Sequence, residues 1–356
     1  MPCRGPGRAG TGPEPGRDWA GTGPGQGAHV RVRRDDAAVP WSPLYREGMH
    51  EEIAVAVGRG DLVLADGGVE TRVMFDDTVP MDPVLGSASL LDTATGREVL
   101  SDIFGGYVGD ARSFGTPAVM GTPTFRASEH WISAASGHEV GELNQRAVAF
   151  QQGVRDRSRA GDQPVWIAGV LGPAGDAYQP EQAPDTDEAR AYHRQQARAL
   201  AKAGADFLYA ATFCSVAESV GAAQAMAETG SITVVSFVLG PDARVLDGTP
   251  LDVAIRRVDD VSPPAWFALS CVHPDLAARA VDALGTELDR LREVKANASA
   301  LSPDQLVTLD HVDTGNPEAW ADSMARLGRD AGIPVLGGCC GTDGRHLRAL
   351  AGLLTS

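Results

Sequence analysis

The chain has 356 residues and a formal net charge of −16, with 43% of residues hydrophobic and 22% charged. Those fractions exclude a wholly disordered chain, and the acidity argues against a protein held on nucleic acid by non-specific charge attraction. No uncharged apolar run reaches the roughly 18 residues of a spanning helix, so no membrane association is expected.

Residues 1–40 contain nine Gly and six Pro and almost no large apolar side chains. Such a segment cannot bury a core, so a disordered tail is expected over 1–48 and a folded domain over 49–356. GTGPGQG at 21–27 superficially resembles a phosphate-cradling loop, but no strand is expected before it and no helix after it. The first fifty residues also lack the apolar core of a secretory signal. Met49 stands just before the first convincing element, as an alternative translation start.

From residue 51 the pattern changes to short Val/Ile/Leu/Ala runs separated by helical stretches. A first strand is expected at 62–65, a glycine-interrupted helix at 96–114 and a second strand at 118–120. The series continues with a helix at 139–160, a strand at 165–170, a helix at 186–203 and a strand at 207–210. Next come a helix at 216–228, a strand at 233–238, a helix at 251–258, a strand at 266–269 and a helix at 274–284. The last units are a strand at 291–295, a helix at 317–331, a strand at 334–336 and a helix at 344–354. Asp185 or Thr186 can cap the helix after Pro184. AGAD at 203–206 ends that helix on a glycine before the next strand, and AGIP at 331–334 repeats the device. Apolar strands separated by helices imply a parallel sheet covered on both faces. Eight such units fit an α/β fold of the (β/α)8 TIM barrel type better than the rival doubly wound sheet.

Five cysteines in a chain this long form no disulfide framework, and a reducing cytoplasm is the default. GGCCGTDGRHL at 337–347 follows the last strand and precedes a helix. Cys339 and Cys340 therefore fall at the C-terminal mouth of a strand, where barrel active sites form. Gly337, Gly338 and Gly341 supply the backbone freedom that lets adjacent cysteines face one ion. Cys271 ends the sixth strand in the same way. Three thiolates around Zn2+ leave a fourth position open, as in a catalytic site. The competing reading is three buried apolar thiols. His273, two residues after Cys271, reads as a helix start before Pro274 more readily than as a ligand. Cys214, after the fourth strand, reads as a bystander, and Cys3 in the tail has no assigned role.

LADGGVETRV at 64–73, SFVLGPDARVLDGTPL at 236–251, Cys271 and GGCCGT at 337–342 occur in this order. Together they resemble the homocysteine S-methyltransferase family, which includes betaine- and S-methylmethionine-dependent enzymes. The resemblance implies a barrel that binds zinc through Cys271, Cys339 and Cys340, with catalysis through that zinc. It implies an acceptor thiol held as thiolate by the metal, its sulfur displacing a methyl group from a cationic donor: homocysteine would become methionine. Asp66, Gly67 and Gly68 match the family turn that contacts the amino-acid part of homocysteine, although an aspartate there can also cap the following helix. Thr122 and Thr124, in GTPTF, match a pocket-lining segment, and Asn297, in KANAS, matches an asparagine near the zinc. LGPAGDAY at 171–178 corresponds to a glycine–proline turn of the family.

Departures accompany the matches. Ala211 stands where many members carry a glutamate that binds the substrate amino group, and Ser270 stands where asparagine is common. These leave room for another small thiol or selenol acceptor, or for a zinc-binding barrel without catalysis. The expected partners are a small thiol and a sulfonium- or betaine-type methyl donor, with a homo-oligomer left open. The sequence does not identify the donor. No Rossmann-type glycine fingerprint follows any strand, and the chain is too short for folate and cobalamin modules.

Overall fold

The computed structural model describes residues 51–355 apart from 77–78, 136, 159–162 and 307. The expected tail, Cys3, the 21–27 motif and Met49 lie outside the described residues. Helix α1 (Glu51–Arg59) leads into β1 (Val63–Ala65), followed by α2 (Glu70–Met74), α3 (Ala94–Ser113) and β2 (Ala118–Gly121). Then come α4 (Glu129–Ala135), α5 (Val140–Arg157), β3 (Val165–Leu171), α6 (Thr186–Ala203), β4 (Phe207–Phe213), α7 (Val216–Ala227) and β5 (Thr233–Phe237). The chain continues through α8 (Leu251–Val261), β6 (Trp266–Val272), α9 (Pro274–Ala283), β7 (Leu291–Ala296) and α10 (Pro303–Leu306). It closes with α11 (Pro317–Asp330), β8 (Val335–Gly338) and α12 (Gly344–Thr355). All eight strands pair in parallel with their sequence neighbours and β8 returns to β1, so the sheet is a closed barrel, as the strand pattern implied.

Apart from β7, the strands carry no charged residue, because two cores meet across them. Phe207, Tyr209 and Ala211 of β4 pack inside the barrel with Trp166, Trp266 and Val335. Ile53, Ala56 and Val57 of α1 join that inner cluster beside the strand starts and close the N-terminal end. Leu208 and Ala210, the intervening residues, belong to the larger core under the helices. This period-2 alternation between two buried faces is what a barrel strand requires.

The expected boundaries hold where local chemistry sets them. Asp185 caps α6, its carboxylate accepting from the Asp187 and Glu188 amides at 3.0 Å. Gly204, at φ 88°, ends that helix in the left-handed conformation. The strands differ at their C-terminal ends: β4 and β6 run to Phe213 and Val272, past the expected ends at 210 and 269. Each carries a bulge near its end, with Thr212 at φ 63° and Cys271 at φ 55°, where the register against the next strand shifts. The short helices α2, α4 and α10 have too few turns to show a clear apolar period, whereas α1, also not expected, buries Ile53, Ala56 and Val57 at helical spacing. Among the described residues, no helix is long and apolar enough to cross a membrane.

Candidate functional site

The C-terminal mouth holds a cavity of about 600 Å³ walled by residues from strand ends and the loops after them. Its reactive corner is sulfur. The Sγ atoms of Cys271, Cys339 and Cys340 lie within 4.8 Å of one another. Cys271 is 2.6 Å from Cys339 and 4.0 Å from Cys340. Cys271 reaches them because its positive φ turns the side chain at the β6 bulge inward, a conformation that costs a non-glycine residue roughly 1–2 kcal/mol. Thr212, at the matching bulge of β4, donates its hydroxyl to Cys271 Sγ at 3.8 Å.

The turn carrying Cys339 and Cys340 is tied to the turn after β1. Gly68 N–H donates to Thr342 Oγ1 at 3.0 Å, and that hydroxyl donates to the Cys339 carbonyl at 2.8 Å. Gly341 N–H donates to Thr71 Oγ1 at 3.1 Å, and Tyr107 from α3 donates its hydroxyl to the Gly68 carbonyl at 2.8 Å. The glycine is required at 68: a Cβ there would stand 2.6 Å from the Cys339 carbonyl oxygen. Gly341, at φ 78°, provides the left-handed bend that the cysteine pair needs.

Three thiols this close share protons unequally. Hydrogen bonds to Cys271 and Cys340, with burial, hold Cys339 well above the ordinary thiol pKa. Hydrogen bonds from Cys271 and Cys339 pull Cys340 well below it. At Cys271 the bond from Cys339 favours the thiolate, but the bond to Cys340 and burial outweigh it and push the pKa up to about 12. Tyr178, on the loop after β3, faces the cluster; burial, followed by the charges of the cysteines, raises its hydroxyl well above the usual phenol value. The donor set fits zinc. With Zn–S bonds near 2.3 Å, sulfurs on a tetrahedral ion stand about 3.8 Å apart, close to the Cys271–Cys340 separation. Cys339 would move outward by about 1 Å to match that spacing.

The other corner is charged. Asp66 and Lys295 form an ion pair, with the carboxylate 3% and the lysine side chain 18% exposed. Gly121 N–H donates to the second Asp66 oxygen at 2.8 Å. Burial opposes the Lys295 charge, but Asp66 more than offsets that and holds the ammonium above the usual lysine value. Two residues further in from the mouth than Lys295, Glu293 accepts from Trp266 Nε1–H at 3.1 Å; burial pushes its carboxyl up to about 7.

Asp66, Gly67, Gly68 and Thr122 line the cavity. Asp66 caps no helix, since the N-cap of α2 is Val69, with no side-chain cap. Thr124 and Asn297 stand behind the wall of the cavity. Thr124 is fully buried and off the cavity wall: its hydroxyl bonds Thr122 Oγ1 at 2.6 Å and donates to the Val170 carbonyl at 2.7 Å. The chain doubles back after Thr122, so Thr124 supports that side chain from behind. Asn297 is likewise behind the wall, its Oδ1 accepting from Cys340 N–H at 3.1 Å, so it orients the cysteine turn. His273 caps α9, its Nδ1 accepting from Asp275 N–H at 3.3 Å, and stands outside the sulfur cluster. Cys214 donates to the Asp176 carbonyl at 3.7 Å, also away from the cluster. Ala211 and Ser270 both line the cavity, and Ser270 bonds the Tyr209 and Ser236 hydroxyls at 2.7 Å. Sequence reasoning missed Lys295, Tyr178 and Thr212.

The profile of the homocysteine S-methyltransferase family matches residues 63–354. The chain therefore belongs to that family. Among curated relatives, it is 25% identical over 247 residues to betaine–homocysteine S-methyltransferase 1 of Rattus norvegicus, covering 65% of this chain and 60% of that protein. It is 25% identical over 181 residues to S-methylmethionine–homocysteine S-methyltransferase BHMT2 of Pongo abelii, covering 46% and 49%. The chain thus spans between half and three-fifths of the length of the curated relatives it matches. Among solved structures, the metallated form of the homocysteine methyltransferase MmuM from Escherichia coli superposes with a TM-score of 0.66 at 22% identity, covering 82% of this chain and 96% of that one. The oxidized form gives 0.68 over the same coverage. These structural likenesses support the barrel.

Proposed function

We propose that this protein is a zinc-dependent methyltransferase that moves a methyl group from a cationic donor to the thiol of homocysteine or a closely related small thiol. The observation that carries the reading is the convergence of Cys271, Cys339 and Cys340 in the wall of the cavity at the barrel mouth. Those three sulfurs would hold the metal, which when bound would supply an acceptor sulfur in its thiolate form at neutral pH.

The chemistry asks little else of the chain beyond positioning. A C–S bond forms as the bond between methyl carbon and donor heteroatom breaks, and the bonding pair leaves with the donor, which loses its positive charge. No proton moves in that step, so no general base is needed. Alignment of donor and acceptor and exclusion of water carry the rate. Gly67 and Gly68 keep the wall beside the sulfur cluster free of side chains. Thr122 also lines the cavity, its hydroxyl held between the strands by Thr124 and by Val170 N–H at 2.9 Å. Four carboxylates (Asp66, Glu70, Asp176 and Asp310) line the cavity against two cations, Arg126 and Lys295. Aromatic rings of Phe75, Phe125 and Tyr178 also line it. A net negative, partly aromatic cavity suits a sulfonium or quaternary ammonium donor.

The test is methyl transfer from S-methylmethionine, S-adenosylmethionine and betaine to homocysteine, with products identified by mass spectrometry. A methylated thiol in at least one combination supports the reading. A protein that retains zinc at the three cysteines yet methylates no thiol from any of these donors would instead be a zinc-binding barrel without this activity.

A further inference from the structure

The pair formed by Asp66 and Lys295 decides which end of an acceptor the cavity recognises. Both Asp66 oxygens are engaged, one by the Lys295 ammonium and one by Gly121 N–H. A substrate ammonium at Asp66 would bring a second buried cation against Lys295 with one carboxylate to balance both, which is unfavourable. The other inner carboxylates are turned towards groups of the chain itself. Glu70 accepts from the backbone amide and hydroxyl of Ser87, and Asp176 accepts from Tyr178 N–H at 2.8 Å. The end of β4 offers the Ala211 methyl and the Thr212 hydroxyl. Among the described residues, Asp66 is the one acceptor that Lys295 reaches, although an ammonium has three N–H donors.

Lys295 is also placed for an acceptor whose sulfur sits at the cysteines. It lies on β7, between β6, which carries Cys271, and β8, which leads into Cys339. Its register partners are Ser270 and Gly337, one and two residues before those cysteines. At about 3.3 Å per residue, that sets Lys295 roughly 3–7 Å along the barrel from the sulfur cluster. A thiol sulfur and a carboxylate separated by three carbons span about 5 Å, given bonds near 1.5 Å.

We propose that Lys295 holds the carboxylate of the acceptor, and that the cavity selects small thiol carboxylates without requiring an amino group. This rests on the thiol methyltransferase reading above and names its acceptor class. Homocysteine is then taken through its thiol and carboxylate, and its ammonium adds little.

Three thiols test this on metal-replete protein by titration calorimetry: homocysteine, 4-mercaptobutyrate, which lacks the amine, and 3-aminopropanethiol, which lacks the carboxylate. The expected result is that the first two bind within about threefold of each other and the aminothiol at least about tenfold more weakly, the scale of a lost charge-assisted hydrogen bond. An aminothiol that matches homocysteine, or an amine-free acid at least about tenfold weaker than homocysteine, would overturn the proposal. Lys295→Gln should weaken both acids by about tenfold or more and leave the aminothiol unchanged or tighter. Equal weakening of all three would make Lys295 a counter-charge alone. Asp66→Asn should leave both acids bound at least as well as before. A selective loss of homocysteine in that variant would assign Asp66 to the amine instead. If Lys295→Gln does not fold, the wild-type series decides by itself. If none of the three binds and none is methylated, the thiol methyltransferase reading fails, and the Lys295 assignment falls with it.

Discussion

The two corners of the cavity are held in opposite ways. The sulfur corner is built from backbone: a left-handed Cys271 at a strand bulge, a left-handed Gly341, and a Gly68 amide locked to Thr342. Its three sulfurs are half-buried at the cavity wall and face one another. The charged corner is built from side chains that satisfy each other, Asp66 with Lys295 and Glu293 with Trp266. There the protein has already used its carboxylate, and the cation at 18% exposure is the more accessible member of the pair. The contrast teaches that a site residue is defined by what remains unpaired after folding as much as by its type.

If the charged corner is as constrained as this contrast holds, its largest signature is a pH effect on stability. Burial pushes the Glu293 carboxyl up from 4.5 to about 7. An acid whose folded pKa is raised binds more protons folded than unfolded, so the contribution of Glu293 to stability is greatest below about 4.5 and declines as pH rises towards 7. The shift corresponds to about 3 kcal/mol above pH 7. Glu293→Gln keeps an acceptor for Trp266 and removes the charge. It should raise the melting temperature at pH 8 and have little effect near pH 4.5, as read by thermal denaturation at the two pH values. A variant less stable than wild type at pH 8 would show that the Glu293 charge is a net asset beside Lys295.

A smaller effect sharpens the backbone side. In Gly68→Ala the new Cβ meets the Cys339 and Thr342 carbonyl oxygens at 2.6 and 2.9 Å. Overpacking of this kind costs about 1–3 kcal/mol, and here it would be relieved by moving the cysteine turn. Gly109→Ala on α3 is the control, since its Cβ meets nothing within 4 Å and a helical alanine gains about 0.5–1 kcal/mol. Opposite shifts in melting temperature, with metal content reduced only in Gly68→Ala, are expected. Equal behaviour of the two variants would mean the 68–339 contact does not constrain the turn.

The same contrast explains what the sequence disclosed. The barrel was legible because parallel strands buried on both faces must be apolar throughout and alternate with helices. The cysteine turn was legible because its geometry depends on glycines that appear beside it as GGCCG. The extensions of β4 and β6 were not, since a left-handed threonine or cysteine leaves no mark on composition. Thr124 and Asn297 sit in motifs that point at the cavity, yet each faces the scaffold behind it, a distinction made by one turn of backbone. Lys295 was missed although a signal existed. Glu293 and Lys295 stand two apart in LREVKA, so both share one face of a strand whose outer face is covered by helices. Two charges there must enter the barrel and find partners, which is how Asp66 comes to be occupied.

The central claim is that Cys271, Cys339 and Cys340 together hold one zinc. Metal content by inductively coupled plasma mass spectrometry, on purified wild type, Cys339→Ala and Cys214→Ala, tests it most directly. The account predicts about one zinc per chain in wild type and in Cys214→Ala, and loss of most of it in Cys339→Ala. Full zinc occupancy in Cys339→Ala, or loss on replacing Cys214, would contradict it.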